Sequence, residues 1–169
     1  MEATAKLYSL NLHNTRTYLF ALFFVAGNII VPQLCHLIPY GGLMFLPIYF
    51  FTLVGAYKYG LSVGMITAVF SPLLNHVLFE MPAAAMLPAI MAKSVILAIS
   101  ASIVAKLFKK VSIVCMAAVV LSYQLLGTMI EWAMASDFNA AIQDFRIGIP
   151  GMLLQVFGGY AVIRYILTK

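Results

Sequence analysis

Long runs of apolar residues, separated by short polar or turn-forming stretches, extend along most of the chain. A helix needs about 20 mostly apolar residues to cross roughly 30 Å of hydrocarbon, and several of the runs reach that length. Turn signals lie between them, including Pro39-Tyr40-Gly41-Gly42 and Met81-Pro82. We therefore predict about six membrane-spanning helices, the second of them short, at residues 17–37, 43–56, 60–79, 85–107, 112–135 and 151–167.

The composition excludes an ordinary soluble domain. Hydrophobic residues make up 64% of the chain, charged residues make up 9%, and the mean hydropathy is +1.03. A soluble domain has about a quarter of its residues charged, so this chain cannot cover its surface with polar groups and must expose apolar residues to lipid. We predict an all-α integral membrane protein in which residues 1–169 form one compact multi-pass bundle and the first helix is not cleaved.

Lysine and arginine are distributed unevenly between the predicted loops. If the N-terminus is cytoplasmic, eight of the ten basic residues lie on the cytoplasmic side, and most of the acidic residues lie on the other side. Because short cytoplasmic loops are enriched in lysine and arginine, we predict that both termini are cytoplasmic. The cytoplasmic basic residues would be Lys6, Arg16, Lys58, Lys106, Lys109, Lys110, Arg164 and Lys169.

The predicted outward half of the bundle carries prolines and polar residues inside its helices. Pro32 follows Asn28 in the first helix, and Pro72 precedes Asn75 and His76 in the third. Irregular backbone at membrane depth is tolerated only where protein or a water-filled cavity covers it. We therefore expect a polar cavity that opens outward.

The sequence lacks the motifs of several classes of function. The chain has no Gly-rich phosphate loop and no dinucleotide-binding motif, so an ATPase that drove transport would be another chain. Cys35 and Cys115 are isolated, which argues against a metal or redox site, and we expect no cofactor. The net charge of +5 is explained by cytoplasmic loops, so we expect no nucleic-acid partner.

Lys93 is the most informative single residue because it lies well inside the predicted fourth helix. A charge at that depth costs a few kcal/mol, so Lys93 must be paired or must face water or a ligand. Glu131, in the fifth helix, is the candidate partner. The two residues could contact a ligand together, or they could form an ion pair with a structural role only.

Four further residues are candidates for ligand binding, and each has a simpler alternative. Arg146 could bind a carboxylate or phosphate in bidentate fashion, or it could pair with Asp144 or Asp137 in the same loop. Asn75 and His76 could contact ligand, or they could cap the third helix. Trp132 could stack on a flat ligand, or it could anchor the chain at the membrane interface. These residues form no recognisable catalytic set, so we do not expect an enzyme.

The stretch from Leu46 to Gly64, LPIYFFTLVGAYKYGLSVG, is followed by Ser71-Pro-Leu-Leu-Asn75. With the six-helix layout, this passage resembles the substrate-binding S components of energy-coupling factor (ECF) transporters, which often show a leucine–proline pair followed by spaced glycines. The resemblance is specific over about 30 residues.

The resemblance implies a function in the bacterial plasma membrane. S components capture a vitamin or related micronutrient on the outer face and deliver it inward together with a transmembrane scaffold subunit and two cytoplasmic ATPases. Lys93 and Arg146 favour an anionic ligand. The family docks on its scaffold through small residues of the first helix, which correspond here to Ala21, Ala26 and Gly27, although Val25 occupies one position of the Ala-x-x-x-Ala pattern.

Two other classes of function remain open. The chain could be a membrane scaffold of similar helix layout that only binds partners, for example in cell-wall morphogenesis. Such a scaffold would not need Lys93 and Glu131 on inward-facing surfaces. A small membrane enzyme is the third and least favoured class, because no catalytic constellation is present.

Overall fold

A computed structural model describes residues 7–167, except for the side chains of Ala135 and Ala140, and shows a bundle built of helices. Five helices within this part of the chain are long and apolar enough to cross a membrane. These are α1 (Thr15–Cys35), α4 (Leu61–Phe79), α5 (Leu87–Phe108), α6 (Ile113–Ala135) and α9 (Ile149–Ile166). The all-α bundle is thus confirmed, and the protein is a multi-pass helical membrane protein.

The prediction of a single helix at residues 43–56 is wrong. This segment forms a short helix α2 (Gly41–Phe45), a 3₁₀ turn (Pro47–Tyr49) and the ten-residue helix α3 (Phe50–Tyr59). The break falls at Leu46, which has a φ of 47° and precedes Pro47. Proline disfavours the α conformation in the residue before it and has no backbone N–H to donate, so α2 cannot continue into α3.

Although α3 has only ten residues, it returns the chain to the end of the bundle where α1 begins. The backbone N–H of Tyr8 donates to the carbonyl of Lys58 at 2.8 Å, and the Tyr57 hydroxyl donates to the carbonyl of Lys110 at 2.6 Å. We call this end of the bundle the basic end; it holds Arg16, Lys58, Lys106, Lys109, Lys110 and Arg164. That it faces the cytoplasm stays a prediction, and Lys6 and Lys169 lie outside the described residues.

The opposite end, which we call the acidic end, contains two further short helices, α7 (Phe138–Ala141) and α8 (Gln143–Ile147), between α6 and α9. Glu80, Glu131, Asp137 and Asp144 lie toward this end.

Helix α3 forms the centre of the bundle, and every residue from Thr52 to Tyr59 is buried. Helix α4 approaches it closely at Gly64, where an added Cβ would lie 2.9 Å from the Cα of Ala56. The outer helices expose large apolar side chains, as expected of a surface that contacts lipid. Among them are Leu22, Phe23, Val114, Leu125 and Met129.

The start of α3 lies at membrane depth and is capped by a side chain from α1. The backbone N–H of Phe51, in the first turn of α3, donates to Asn28 Oδ1 at 3.2 Å. First-turn N–H groups have no partner within their own helix, so this bond replaces one that water would provide elsewhere. The Asn28 side chain also donates to Thr52 Oγ1 and Ser71 Oγ, both at 3.1 Å, and thereby joins α1, α3 and α4.

Candidate functional site

Three charged side chains meet inside the acidic half of the bundle. Lys93 lies six residues into α5 and is only 2% exposed. Its Nζ is 2.8 Å from Asp144 Oδ2 and also forms an ion pair with Glu131 Oε2. The ion pair expected between Lys93 and Glu131 is therefore present, and Asp144 of α8 joins it as a second carboxylate partner.

Glycines allow these elements to approach one another. An added Cβ at Gly127 of α6 would lie 2.6 Å from Lys93 Cγ, so the lysine side chain packs directly on the helix backbone there. At the start of α9, a Cβ at Gly151 would lie 2.5 Å from the carbonyl oxygen of Phe45. This contact holds α9 against α2, and the preceding helix α8 places Asp144 over Lys93.

The two long helices that carry Lys93 and Glu131, together with α9, also carry buried polar groups without hydrogen-bond partners in the described part of the chain. They are Ser94 Oγ, Gln124 Nε2 and Oε1, Thr128 Oγ1 and Gln155 Nε2. Gln124 and Glu131 are seven residues apart on α6, with Gly127 and Thr128 between them. Residues seven apart lie on the same face of a helix. Gln124 and Glu131 therefore lie on one face of α6, two turns apart, with the lysine side chain packed between them at Gly127.

Two buried tyrosines adjoin these groups. The Tyr123 hydroxyl donates to Gln155 Oε1 at 2.9 Å, and the Tyr123 ring packs on Tyr49 with 5.5 Å between ring centroids. Both tyrosines are buried. We refer to the whole set as the buried polar cluster, and it consists of Tyr49, Lys93, Ser94, Tyr123, Gln124, Thr128, Glu131, Asp144 and Gln155.

The buried polar cluster is most accessible at its carboxylates. The Lys93 side chain is 3% exposed, whereas those of Glu131 and Asp144 are 20% and 14% exposed. With Lys93 protonated and both carboxylates ionised, the three groups carry one net negative charge. A solute that reached the cluster from the acidic end would meet the carboxylates before the ammonium group.

Two of the predicted site residues lie outside the cluster. Arg146 is exposed and takes part in none of the ion pairs among residues 7–167. Trp132 is 51% exposed and packs edge-on against Phe138 at a centroid distance of 5.3 Å. This exposure places the Trp132 ring at the surface of the bundle, outside the ion pairs of Lys93.

Asn75 and His76 lie on the α1–α4 side of the bundle. The Asn75 amide donates to the backbone carbonyls of Asn28 and Ser71 at 2.8 Å and 2.9 Å. His76 Nδ1 is 2.8 Å from the carbonyl oxygen of Pro82, which can only accept, so the ring donates this bond. Asn75 also lines a mostly apolar groove of about 380 Å³, together with His36 and the Met81–Pro82 turn. These two residues therefore hold neighbouring segments in place.

The three small residues predicted to dock a partner do not share one surface. Ala21 is 1% exposed and packs inside the bundle. Gly27 faces α3, because an added Cβ there would lie 2.7 Å from the Phe51 ring. Ala26 alone of the three is exposed on the outside of α1.

The sequence did not single out Ser94, Gln124, Thr128 or Gln155, and it treated Asp144 only as a possible partner of Arg146. One signal was available, since Gln124 and Glu131 are seven residues apart in a mostly apolar helix. Asp144 gave none, because its approach to Lys93 depends on how α8 folds back over the bundle.

No known protein family, curated protein or solved structure matches the chain. Among the described residues, no three His, Cys, Asp or Glu side chains are placed to hold a metal ion. The fold and the site thus define a class rather than a family: a multi-pass helical membrane protein with a buried, charged polar cluster near one end.

Proposed function

We propose that this protein is a membrane-embedded subunit that binds a small solute in the buried polar cluster and delivers it to an importer, as the S components of ECF transporters do. The observation that supports this proposal is the set of five unpartnered, buried polar atoms on α5, α6 and α9, the first two of which also carry the Lys93–Glu131 ion pair. Leaving a buried polar group without a partner costs about 1–3 kcal/mol, so five such atoms are expensive for a purely structural cluster. A bound solute with several polar groups would satisfy them.

The position of the cluster also suits capture from one side of the membrane. Its carboxylates are the more exposed members and lie toward the acidic end, which the distribution of lysine and arginine predicts to be outside. The Lys93 side chain and Gln124 lie deeper, where water is excluded and hydrogen bonds to a ligand are strong.

Partner chains would supply the energy. The proposal includes a transmembrane scaffold subunit and two cytoplasmic ATPases, with α1 contributing Ala26 to the docking surface. The protein alone, reconstituted in vesicles, should then bind its solute without concentrating it. Accumulation of solute in such vesicles without any ATPase would contradict this part of the proposal.

Native mass spectrometry of the detergent-purified protein tests the binding function. We expect an additional mass from a bound small molecule in the parent protein and its loss in Gln124→Leu. The matched control is Gln33→Leu, which makes the same chemical change in α1, away from the cluster. A parent protein that carries no small molecule, even after incubation with a cell extract, would favour a scaffold that only binds other proteins.

A further inference from the structure

We infer that the solute bound by the buried polar cluster carries a positive charge; this inference rests on the proposed function. The central observation is the charge balance at Lys93, whose single ammonium group faces two carboxylates, Glu131 and Asp144. No second cation joins them in the described part of the chain, because Arg146 is exposed and outside these ion pairs. The cluster therefore has one negative charge more than it can balance.

Lys93 is poorly placed to bind an anion. Two of its three N–H donors are directed to Asp144 and Glu131, and its side chain is 3% exposed. An anionic ligand would have to pass the two carboxylates, which lie nearer the acidic end, and would be repelled by them. The anionic ligand favoured by the sequence is thus replaced here by a cationic one.

An uncompensated charge is costly in the interior of a membrane protein. Removing an ion from water is unfavourable unless another charge compensates it. A ligand ammonium, amidinium or ring-nitrogen cation between Glu131 and Asp144 would restore neutrality. The exposed fractions of these carboxylates, 20% and 14%, leave them able to receive it.

The rest of the cluster indicates the remainder of the ligand. The amide of Gln124 is completely buried, and its donor and its acceptor are both unpartnered, so it matches a group that itself donates and accepts, such as an amide. Tyr49 and Tyr123 provide aromatic rings beside it, and aromatic faces attract cations. The inferred ligand is a small organic cation with an amide-like edge.

The experiment uses the dialysable fraction of yeast extract as the probe. The detergent-purified protein is incubated with this fraction and washed, and the bound compounds are released and identified by mass spectrometry. Each compound is then classified at neutral pH by its retention on a cation exchanger or an anion exchanger. Asp144→Asn and Glu131→Gln are compared with the control Asp137→Asn, which removes an exposed carboxylate from the same end of the bundle.

We expect the bound compound to be retained on the cation exchanger. The parent protein and Asp137→Asn should enrich it about tenfold or more relative to Asp144→Asn and Glu131→Gln. This is the scale of losing one partner of a buried charge contact. A bound compound that is retained only on the anion exchanger, or on neither exchanger, would overturn this inference and leave the proposed function in place. A parent protein that enriches no compound would overturn the proposed function itself. The charge of the compound on the parent protein decides the inference even if a variant does not fold.

Discussion

The side-chain amide of Asn75 donates a hydrogen bond of 2.8 Å to the backbone carbonyl of Asn28, whose usual α-helical donor is missing. In an α-helix, that carbonyl would accept from the N–H four residues later, and this residue is Pro32. A proline in α1 and an asparagine in α4 are thus parts of one arrangement, in which the polar side chain replaces the missing backbone donor.

This relationship predicts a dependence between the two positions. Asn75→Ala should lower the free energy of unfolding by about 1–3 kcal/mol, because it leaves a buried carbonyl unsatisfied. In a Pro32→Ala background the backbone N–H returns, and the same Asn75 substitution should cost clearly less. Thermal unfolding of the four proteins in detergent gives the coupling between the two sites. Equal costs in both backgrounds would show that Asn75 does not act through this carbonyl.

Lys93 should be essential for stability as well as for binding. Lys93→Met keeps most of the side-chain volume and leaves two carboxylates facing each other, so we expect a loss of about 3–5 kcal/mol in the free energy of unfolding. Lys106→Met makes the same change at an exposed position of α5 and should alter stability by about 0.5 kcal/mol or less.

Neutralising all three charges separates the two contributions. Lys93→Met combined with Glu131→Gln and Asp144→Asn should recover most of the stability lost in Lys93→Met, because no unpaired charge remains. Binding of the solute, measured by native mass spectrometry, should stay lost. Recovery of both stability and binding in this triple variant would show that the charges have a structural role only.

Close contact between α3 and α4 should make Gly64 intolerant of any side chain. Gly64→Ala should destabilise the bundle by about 1–3 kcal/mol, since the new Cβ meets the backbone of Ala56, which cannot move aside. Gly158→Ala is the matched control, because its nearest neighbour is the Phe50 ring at 3.1 Å, and a ring can rotate. Thermal unfolding of both variants is the measurement, and similar melting temperatures would contradict the assigned contact.

The orientation in the membrane can be tested by cysteine labelling. In a background without Cys35 and Cys115, a cysteine at Lys109 should be protected from a membrane-impermeant maleimide in intact cells, and one at Asn139 should be labelled. Both positions are exposed and lie at opposite ends of the bundle. Labelling of both from the same side would exclude a bundle whose basic and acidic ends face opposite sides of the membrane.

Hydropathy was sufficient to locate five long helices, because each of them needs an apolar surface toward lipid along its length. It failed at residues 43–56, where the chain is covered by other helices and is free of that requirement. The local signal, Pro47, was present, but the backbone reversal at Leu46 becomes clear only when α2 is seen packing on α9.

The candidate site was predictable to a similar extent. A charged residue inside an apolar membrane helix is a candidate for a functional role, because burying its charge is costly. This principle identified Lys93 and Glu131. Charged residues of the polar loop at positions 136–147 could not be identified as site residues in the same way, since charged residues are common near the membrane–water interface. Asp137 and Asp144 could each pair with a buried lysine, yet only Asp144 reaches Lys93, and the sequence does not show how α8 folds over the bundle.

The short central helix has a consequence for biosynthesis. At 1.5 Å per residue, the ten residues of α3 extend about 15 Å, roughly half the thickness of the hydrocarbon layer, and Lys58 lies near its end. A segment this short and partly polar does not leave the translocation machinery for lipid by its own hydrophobicity. We expect it to enter the bilayer together with α4, with Asn28 of α1 then bonding its first turn. The innermost helix of the finished protein is therefore the one whose insertion depends most on its neighbours.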